Sequence, residues 1–94
     1  MTAYEIAKGG GKHAGLLRRF RSESRQVIAR SMRSLTRQIS AHELKLRDPA
    51  AFVEPDTPAD EVRYLVEFKW PKELAGFREE LEVFTGLLKE RGDE

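Results

Sequence analysis

The chain has 94 residues, of which 35% are charged and 39% are hydrophobic, and it contains no cysteine. A chain of this length forms one domain, residues 1–94, with a small core. Without cysteine it has neither a disulfide framework nor a thiolate metal site. It also lacks the long apolar run of a membrane helix and the apolar segment of a signal peptide.

The net charge of +1 conceals two oppositely charged halves. Residues 1–49 hold 11 Lys and Arg against 4 Asp and Glu, whereas residues 50–94 hold 6 against 12. Two explanations stay open at this point. Either the halves neutralise each other within the fold, or the basic half faces a polyanion and the acidic half faces another partner.

The N-terminal segment contains a glycine-rich stretch, KGGGKHAG. Its four glycines disfavour a helix, because each costs about 1 kcal/mol relative to alanine in a helix. We therefore expect a loop from Gly9 to Gly15 whose backbone can approach another group closely. Leu16, Leu17 and Phe20 then follow helical spacing, which predicts a short helix from about Ala14 to Phe20.

The longest predicted helix runs from Ser22 to Leu46. Its core-facing residues recur every three or four positions, a spacing typical of one buried stripe. They are Ile28, Met32, Leu35, Ile39, His42 and Leu46. Ser22 or Ser24 is the expected N-cap, and Asp48-Pro49 ends the helix. Three arginines share a second face of this helix, called the arginine face below: Arg30, Arg33 and Arg37.

Three prolines within residues 49–58 predict a surface connection. Thr57-Pro58, followed by two acidic residues, is a helix-start signal, so we expect a short helix from about Pro58 to Lys69. A strand is the alternative, because the segment from Tyr64 to Trp70 has a period-two pattern typical of a strand. Its alternating aromatic and apolar residues are Tyr64, Val66, Phe68 and Trp70, and the residues between them are Leu65, Glu67 and Lys69. The helix is preferred, because no partner strand is evident and a lone strand cannot satisfy its backbone.

Trp70-Pro71 begins the last predicted helix, in which Pro71 occupies the first turn. This helix is acidic, ends near Gly92, and repeats the spacing of the long helix. The recurring residues are Leu74, Phe77, Leu81, Phe84 and Leu88. The matching patterns predict an all-α fold in which the long helix packs antiparallel on the acidic C-terminal helix. A short helix bridges the two, Trp70 is buried at the junction, and the glycine-rich loop lies across one end.

His13 and His42 belong to the residue type that titrates nearest to neutral pH. His13 sits in the glycine-rich loop beside Lys12, and is either an acid–base group or an exposed loop residue. His42 lies on the apolar stripe, and is either catalytic or a half-buried residue bonded to a neighbour. Two imidazoles and a cation suffice to cleave RNA: a base activates the 2′-OH, an acid protonates the leaving oxygen and the cation stabilises the phosphorane.

Other catalytic templates do not fit. GGGK lacks the spacing and the Ser or Thr of a phosphate-binding P-loop, and the HEL sequence at 42–44 is not an HExxH zinc motif, since position 46 is Leu. With two histidines and no cysteine, a zinc ion would need acidic ligands that the sequence does not identify. We therefore expect no metal and no cofactor.

Several stretches together resemble a family of C-terminal toxin domains from bacterial polymorphic toxins of the Rhs and contact-dependent types. They occur in the expected order: YEIAKGGGKHAG at 4–15, SMRSLTRQISAHELKL at 31–46 with Pro49, WPKEL at 70–74 and GLL at 86–88. The resemblance implies a mostly helical effector domain that is delivered into a competing cell, acts in its cytoplasm and is neutralised by a dedicated immunity protein. Many such domains are nucleases, commonly metal-independent ribonucleases. Because the chain begins with Met and carries no upstream delivery region, we expect an excised domain or an orphan copy.

The polar residues inside these motifs are the site residues that the resemblance implies. They are Lys12, His13, Ser31, Arg33, Ser34, Gln38, His42 and Lys45. In the resulting hypothesis His13 and His42 are the acid–base pair and meet when the loop folds back on the long helix. The lysines and the arginine bind phosphate, the serine at 34 and the glutamine orient the substrate, and RNA is preferred to DNA.

Two other hypotheses remain at the level of the sequence. The first is a non-catalytic helical module whose basic half binds nucleic acid or an acidic protein. The second is an immunity or antitoxin protein, which agrees with the acidic second half but not with a glycine-rich loop that carries a histidine.

Overall fold

A computed structural model of the chain describes residues 1–93, which are largely helical. The five α-helices are α1 (Ala3–Lys8), α2 (Ala14–Phe20), α3 (Arg25–Arg47), α4 (Ala59–Tyr64) and α5 (Trp70–Arg91). A 3-10 turn at Pro49–Phe52 follows α3, and a π-helical turn at Leu65–Lys69 joins α4 to α5. The described residues contain no strand, which confirms the all-α prediction. None of their helices is long and apolar enough to cross a membrane.

The two long helices, α3 and α5, pack antiparallel as predicted. The start of α3 meets the end of α5, where Arg25 Nε donates to the Asp93 carbonyl at 2.7 Å. Toward the opposite end, Arg78 of α5 donates to the Glu43 carboxylate of α3 at 2.8 Å. The pairing of early α3 with late α5, and of late α3 with early α5, fixes the direction of the two helices.

The sequence signals at both ends of α3 and at the end of α5 act as expected, whereas Thr57 does not cap α4, because its hydroxyl donates to the Glu54 carbonyl and the N-cap position is Pro58. The Ser24 hydroxyl accepts from the Val27 N–H at 3.2 Å and caps α3, which ends at Asp48 before Pro49. Gly92 ends α5 in the left-handed conformation (φ 76°), and its N–H reaches the carbonyls of the preceding turn. Each helix therefore stops where its own cap requires.

Helix α1 was not predicted, although its N-terminus carries a recognisable signal. The Thr2 hydroxyl accepts from the Glu5 N–H at 3.1 Å, and the Glu5 carboxylate accepts from the Thr2 N–H at 3.0 Å. This reciprocal pair is a capping box, encoded by the T-x-x-E sequence at 2–5. The Tyr4 ring of α1 lies against Gly86 of α5, where a Cβ would overlap the ring. The glycine therefore lets the two helices approach closely.

The chain does not break at Trp70-Pro71. Proline has no N–H, and its ring clashes with the carbonyl four residues earlier, so it disturbs an α-helix at that point. Here the Trp70 N–H bonds to the Leu65 carbonyl, five residues back, and this wider π-helical turn carries the chain from α4 into α5. The helix predicted from Pro58 to Lys69 is confirmed over the strand, but it runs on into α5. Trp70 is 5% exposed, as expected for a buried junction.

The core lies where α1 and α2 pack on the α3–α5 pair. Its buried members are Ala7, Leu17, Ile28, Leu35, Val83, Phe84 and Leu87. Two of these, Val83 and Leu87, lie outside the stripe predicted for the last helix. They belong to a second apolar face, which is buried because α5 contacts α1 as well as α3. Helix α5 is thus the central helix of the fold.

Candidate functional site

The glycine-rich loop holds His13 in an unusual backbone conformation. Helix α2 begins at Ala14, so the loop is shorter than predicted and ends on His13 itself. His13 has φ 71° and ψ 12°, and no other non-glycine residue among residues 1–93 has a positive φ. This region costs an L-residue roughly 1–2 kcal/mol, although histidine tolerates it better than most. Gly11 makes the tight path possible, since a Cβ there would lie 2.8 Å from the Ile6 side chain.

Lys12 and His13 converge on a single carboxylate oxygen of α5. The Lys12 Nζ lies 2.8 Å from Glu79 Oε1, and the His13 Nε2 lies 2.9 Å from the same atom. Hydrogen bonds from Lys12, which has the larger effect, and from His13 hold the pKa of Glu79 below its ordinary value. This carboxylate is therefore ionised at neutral pH. An ionised carboxylate only accepts, so Nε2 of His13 carries the hydrogen. Within residues 1–93, Nδ1 of this ring has no hydrogen-bond partner.

A cavity of about 280 Å³ opens beside this group and is called the His13 cavity below. It is lined by Met1, Ala3, Ile6, Lys12, His13, Glu79 and Glu82. The Ala3 N–H donates to the Glu82 carboxylate at 2.6 Å, which ties the start of α1 to the cavity wall. The cavity therefore combines a histidine, a lysine and two carboxylates within a space that admits a small polar group.

His42 occupies a different environment, inside the α3–α5 interface. Its Nδ1 lies 3.1 Å from the Gln38 carbonyl and its Nε2 lies 3.4 Å from Glu73 Oε1. The ring stands edge-on to Phe77, with the ring centroids 5.0 Å apart, and the residue is 9% exposed. Since a carbonyl only accepts, Nδ1 donates to Gln38, and Nε2 faces the Glu73 carboxylate, to which it donates only when both ring nitrogens carry hydrogen.

The structure does not bring the two histidines onto a shared group. His13 contacts Glu79 and His42 contacts Glu73, and these two glutamates are six residues apart on α5, about 9 Å along the helix axis. His42 does not line the His13 cavity. An acid–base pair formed by both histidines therefore stays a prediction, whereas Lys12 and His13 are together as expected.

The predicted orienting residues line a second cleft, between α2, α3 and α5. Ser31, Ser34 and Gln38 lie along one wall, as their helical spacing requires, and the Gln38 amide reaches the Ser34 hydroxyl at 3.5 Å. The opposite walls come from Arg19 of α2 and from Phe77 of α5. We call this space the aromatic cleft.

The arginine face is exposed. Within residues 1–93, Arg30, Arg33 and Arg37 form no ion pair, whereas carboxylates of α5 pair with Lys8 and Lys12 instead. Neutralisation of the basic half by the acidic half is therefore only partial. Two of the three arginines also line an open groove of about 540 Å³ between α3 and α5.

Lys45 lies apart from the other predicted phosphate-binding residues. Its Nζ is 5.6 Å from the centroid of the Trp70 ring, a distance at which a cation is attracted to an aromatic face. This contact is near the π-helical turn, because Trp70 follows that turn directly.

Glu79 is the site residue that sequence reasoning missed. The last helix is recognisably acidic, but nothing in its spacing separates Glu79 from its neighbours Glu80 and Glu82. Only the path of the glycine-rich loop decides which of these carboxylates receives Lys12 and His13.

Comparisons of the chain with protein-family models, with curated proteins and with solved structures found no match.

Proposed function

We propose that the chain is the effector domain of a bacterial polymorphic toxin and acts as a ribonuclease in the cytoplasm of a target cell. The observation that carries this proposal is the convergence of Lys12 and His13 on Glu79 at the edge of the His13 cavity. The resemblance of the KGGGKHAG, SMRSLTRQISAHELKL and WPKEL stretches to toxin domains gives the biological setting. In that setting a larger toxin delivers the domain and an immunity protein binds it.

The proposed reaction uses His13 as the base. Its Nδ1 takes the proton of a ribose 2′-OH, the 2′ oxygen attacks the adjacent phosphorus, and the bond from phosphorus to the 5′ oxygen breaks. The leaving 5′ oxygen takes a proton from the Lys12 ammonium group, so a 2′,3′-cyclic phosphate and a free 5′-OH result. Glu79 accepts from Nε2 and stabilises the imidazolium that forms. DNA has no 2′-OH and is not cleaved.

Binding of the RNA backbone is assigned to the arginine face. Exposed arginines without acidic partners contact phosphates and position a nucleic acid without reading its sequence. Arg33 keeps its expected role in this scheme. His42 donates from Nδ1 to the Gln38 carbonyl, faces Glu73 with Nε2 and packs on Phe77, so the proposal gives it a packing role and assigns the proton transfer to His13.

The test is controlled expression in a bacterial host, followed by gels of total RNA and DNA. The His13→Asn variant removes the base but keeps a residue type that tolerates the left-handed conformation. We expect growth arrest and degraded RNA with the wild type, and cleavage reduced by about 10²–10⁴-fold in His13→Asn and strongly reduced in Lys12→Ala. Lys72→Ala is the matched control, because Lys72 is exposed and forms no ion pair within residues 1–93.

Two results would contradict the proposal. Cleavage by purified His13→Asn at the wild-type rate would remove His13 from the reaction. Intact RNA in cells that contain soluble, folded wild-type protein would exclude a ribonuclease.

A second function is a non-catalytic module that binds RNA, and the observation in its favour is the exposed arginine face. It requires RNA binding that weakens steeply with salt and leaves the RNA intact. Replacement of Arg33 and Arg37 by Gln should reduce the salt dependence of RNA binding whether the chain is a ribonuclease or a binding module. Time-dependent cleavage by the purified wild type, absent in His13→Asn, separates the two functions.

A further inference from the structure

The aromatic cleft combines aromatic rings with polar groups of several kinds. Ten residues of α2, α3 and α5 line its volume of about 280 Å³. The apolar ones are Leu16, Phe20, Leu35, Phe77 and Phe84, and the polar ones are Arg19, Ser31, Ser34, Gln38 and Glu80. No single stretch of the sequence contains this set, because the aromatic rings come from α2 and α5 and most of the polar groups come from α3.

The rings in the cleft are held in fixed orientations. Phe20 stands edge-on to the buried Phe84, with the ring centroids 4.9 Å apart and the planes at 89°. Phe77 is held in the same way by His42, at 5.0 Å and 81°. The Arg19 guanidinium lies 5.1 Å from the centroid of the Phe20 ring. Aromatic rings and arginine planes are the surfaces on which single-stranded RNA bases stack.

The polar groups of the cleft have few partners of their own. Within residues 1–93, Arg19 and Glu80 form neither an ion pair nor a side-chain hydrogen bond. The Gln38 amide makes one long hydrogen bond, 3.5 Å to the Ser34 hydroxyl. A glutamine amide both donates and accepts, whereas an ionised glutamate only accepts. The cleft therefore offers more acceptors than donors to the edge of a bound base, next to a cation that suits a phosphate.

We propose that the aromatic cleft binds one RNA base that carries an exocyclic amino group, namely adenine, cytosine or guanine. The amino group donates to Glu80, Gln38 pairs with the rest of the base edge, and Arg19 contacts the adjoining phosphate. A space of about 280 Å³ lies just below the range of small-molecule sites, about 300–1,000 Å³, which suits a ligand no larger than one nucleoside. This inference rests on the proposed ribonuclease function and deepens it.

The cleft lies next to the His13 cavity. Leu16, which lines the cleft, is one helical turn from His13, and Glu80 of the cleft follows Glu79 directly on α5. The cleft and the His13 cavity therefore adjoin the same turn of α5.

The test is calorimetric titration of the full chain with the four 5′-mononucleotides AMP, CMP, GMP and UMP. We expect UMP to bind at least about tenfold more weakly than the best of the other three, because uracil has no amino group and the two carbonyl oxygens that flank its ring N–H are repelled by the Glu80 carboxylate. Gln38→Ala should weaken the tightest nucleotide about tenfold. Glu80→Gln should reduce the preference over UMP, because the new amide can donate to a uracil carbonyl. Gln26→Ala is the matched control, since Gln26 is exposed in the first turn of α3 and lines none of these cavities.

Each outcome bears on the cleft separately from the nuclease. No binding at millimolar nucleotide, equal affinity for all four nucleotides, or equal effects of Gln38→Ala and Gln26→Ala would overturn the inference. If the RNA is cleaved but nucleotide binding fails in one of these ways, the ribonuclease proposal is supported and the base site is excluded. Conversely, if nucleotide binding depends on Gln38 but the RNA stays intact, the base site is supported and the ribonuclease activity is excluded. Circular dichroism melts of Gln38→Ala, Glu80→Gln and Gln26→Ala check that each variant is folded.

Discussion

The two histidines of this chain show how one residue type acquires different properties in two regions. Each faces a glutamate of α5, His13 at 2.9 Å and His42 at 3.4 Å, and both side chains are mostly covered, with 16% and 11% exposed. His13 lies in a strained loop beside a lysine and a cavity, and its Nδ1 has no partner within residues 1–93. His42 lies inside a helix interface, where Nδ1 meets the Gln38 carbonyl and Nε2 faces the Glu73 carboxylate.

Packing positions His42, whereas loop geometry positions His13. His42 occupies a stripe whose other members are apolar, bonds to a carbonyl of its own helix and packs on Phe77. Within residues 1–93, His13 makes no such contact with an aromatic ring, and its costly backbone conformation coincides with its contact to Glu79. Backbone strain at residues other than glycine clusters at functional sites. The comparison predicts that substitutions in the two regions affect different quantities.

The largest effect on stability is expected for His42→Ala. Removing this buried ring leaves a cavity beside Phe77 and takes away the partner of Glu73, so we expect a loss of about 2–4 kcal/mol in the free energy of unfolding. Urea denaturation followed by circular dichroism measures the change. Ser40→Ala, at an exposed position of the same helix, is the control. If His42→Ala unfolds at the wild-type urea concentration but loses cleavage, then His42 is catalytic and the comparison between the regions is wrong.

The next effect concerns the packing of α1, which covers the His13 region. Gly86→Ala places a methyl group on the Tyr4 ring, and we expect it to destabilise the chain by about 1–3 kcal/mol. Gly76→Ala is its matched control on the same helix, because a Cβ there meets nothing within 4 Å. It should stabilise the chain by about 0.5–1 kcal/mol, the usual gain for this change in a helix. Equal shifts of the two melting temperatures would show that α1 does not need close contact with α5.

The smallest effect is the pH dependence that comes from Glu79. The pKa of Glu79 in the folded chain is below the ordinary value of 4.5. Its contribution to the free energy of unfolding is therefore present above pH 4.5 and is lost as the pH falls through the pKa of the folded state. We expect at most about 1 kcal/mol, since the carboxylate is partly solvated. The stability difference between wild type and Glu79→Gln should therefore shrink from neutral pH to about pH 3.

Glu67→Gln is the control for this titration, because Glu67 is exposed and forms no ion pair within residues 1–93. A difference between wild type and Glu79→Gln that stays constant across the same pH range would mean that Lys12 and His13 do not depress the Glu79 pKa.

The sequence alone determined where the helices lie. The stripe on α3, the Ser24 cap, the Asp48-Pro49 stop and the Gly92 cap are local features, and local features act through backbone geometry and side-chain spacing within a few residues. For the same reason the pairing of α3 with α5 was predictable, since the apolar stripe of α3 matches in length the stripe that runs from Leu74 to Leu88 on α5. Helix α1 was also encoded locally, by the capping box at Thr2 and Glu5.

Only the tertiary structure decided which side chains meet. The spacing of α5 could not select Glu79 over Glu80, because the choice depends on where a loop with positive φ at Gly10 and His13 delivers its side chains. The second buried face of α5 depends on α1, which is more than seventy residues away in the chain. The aromatic cleft likewise joins Phe20, Gln38 and Phe77 from three helices. Periodicity reports which face of a helix is buried, whereas the partner of that face is fixed by the packing of the whole chain.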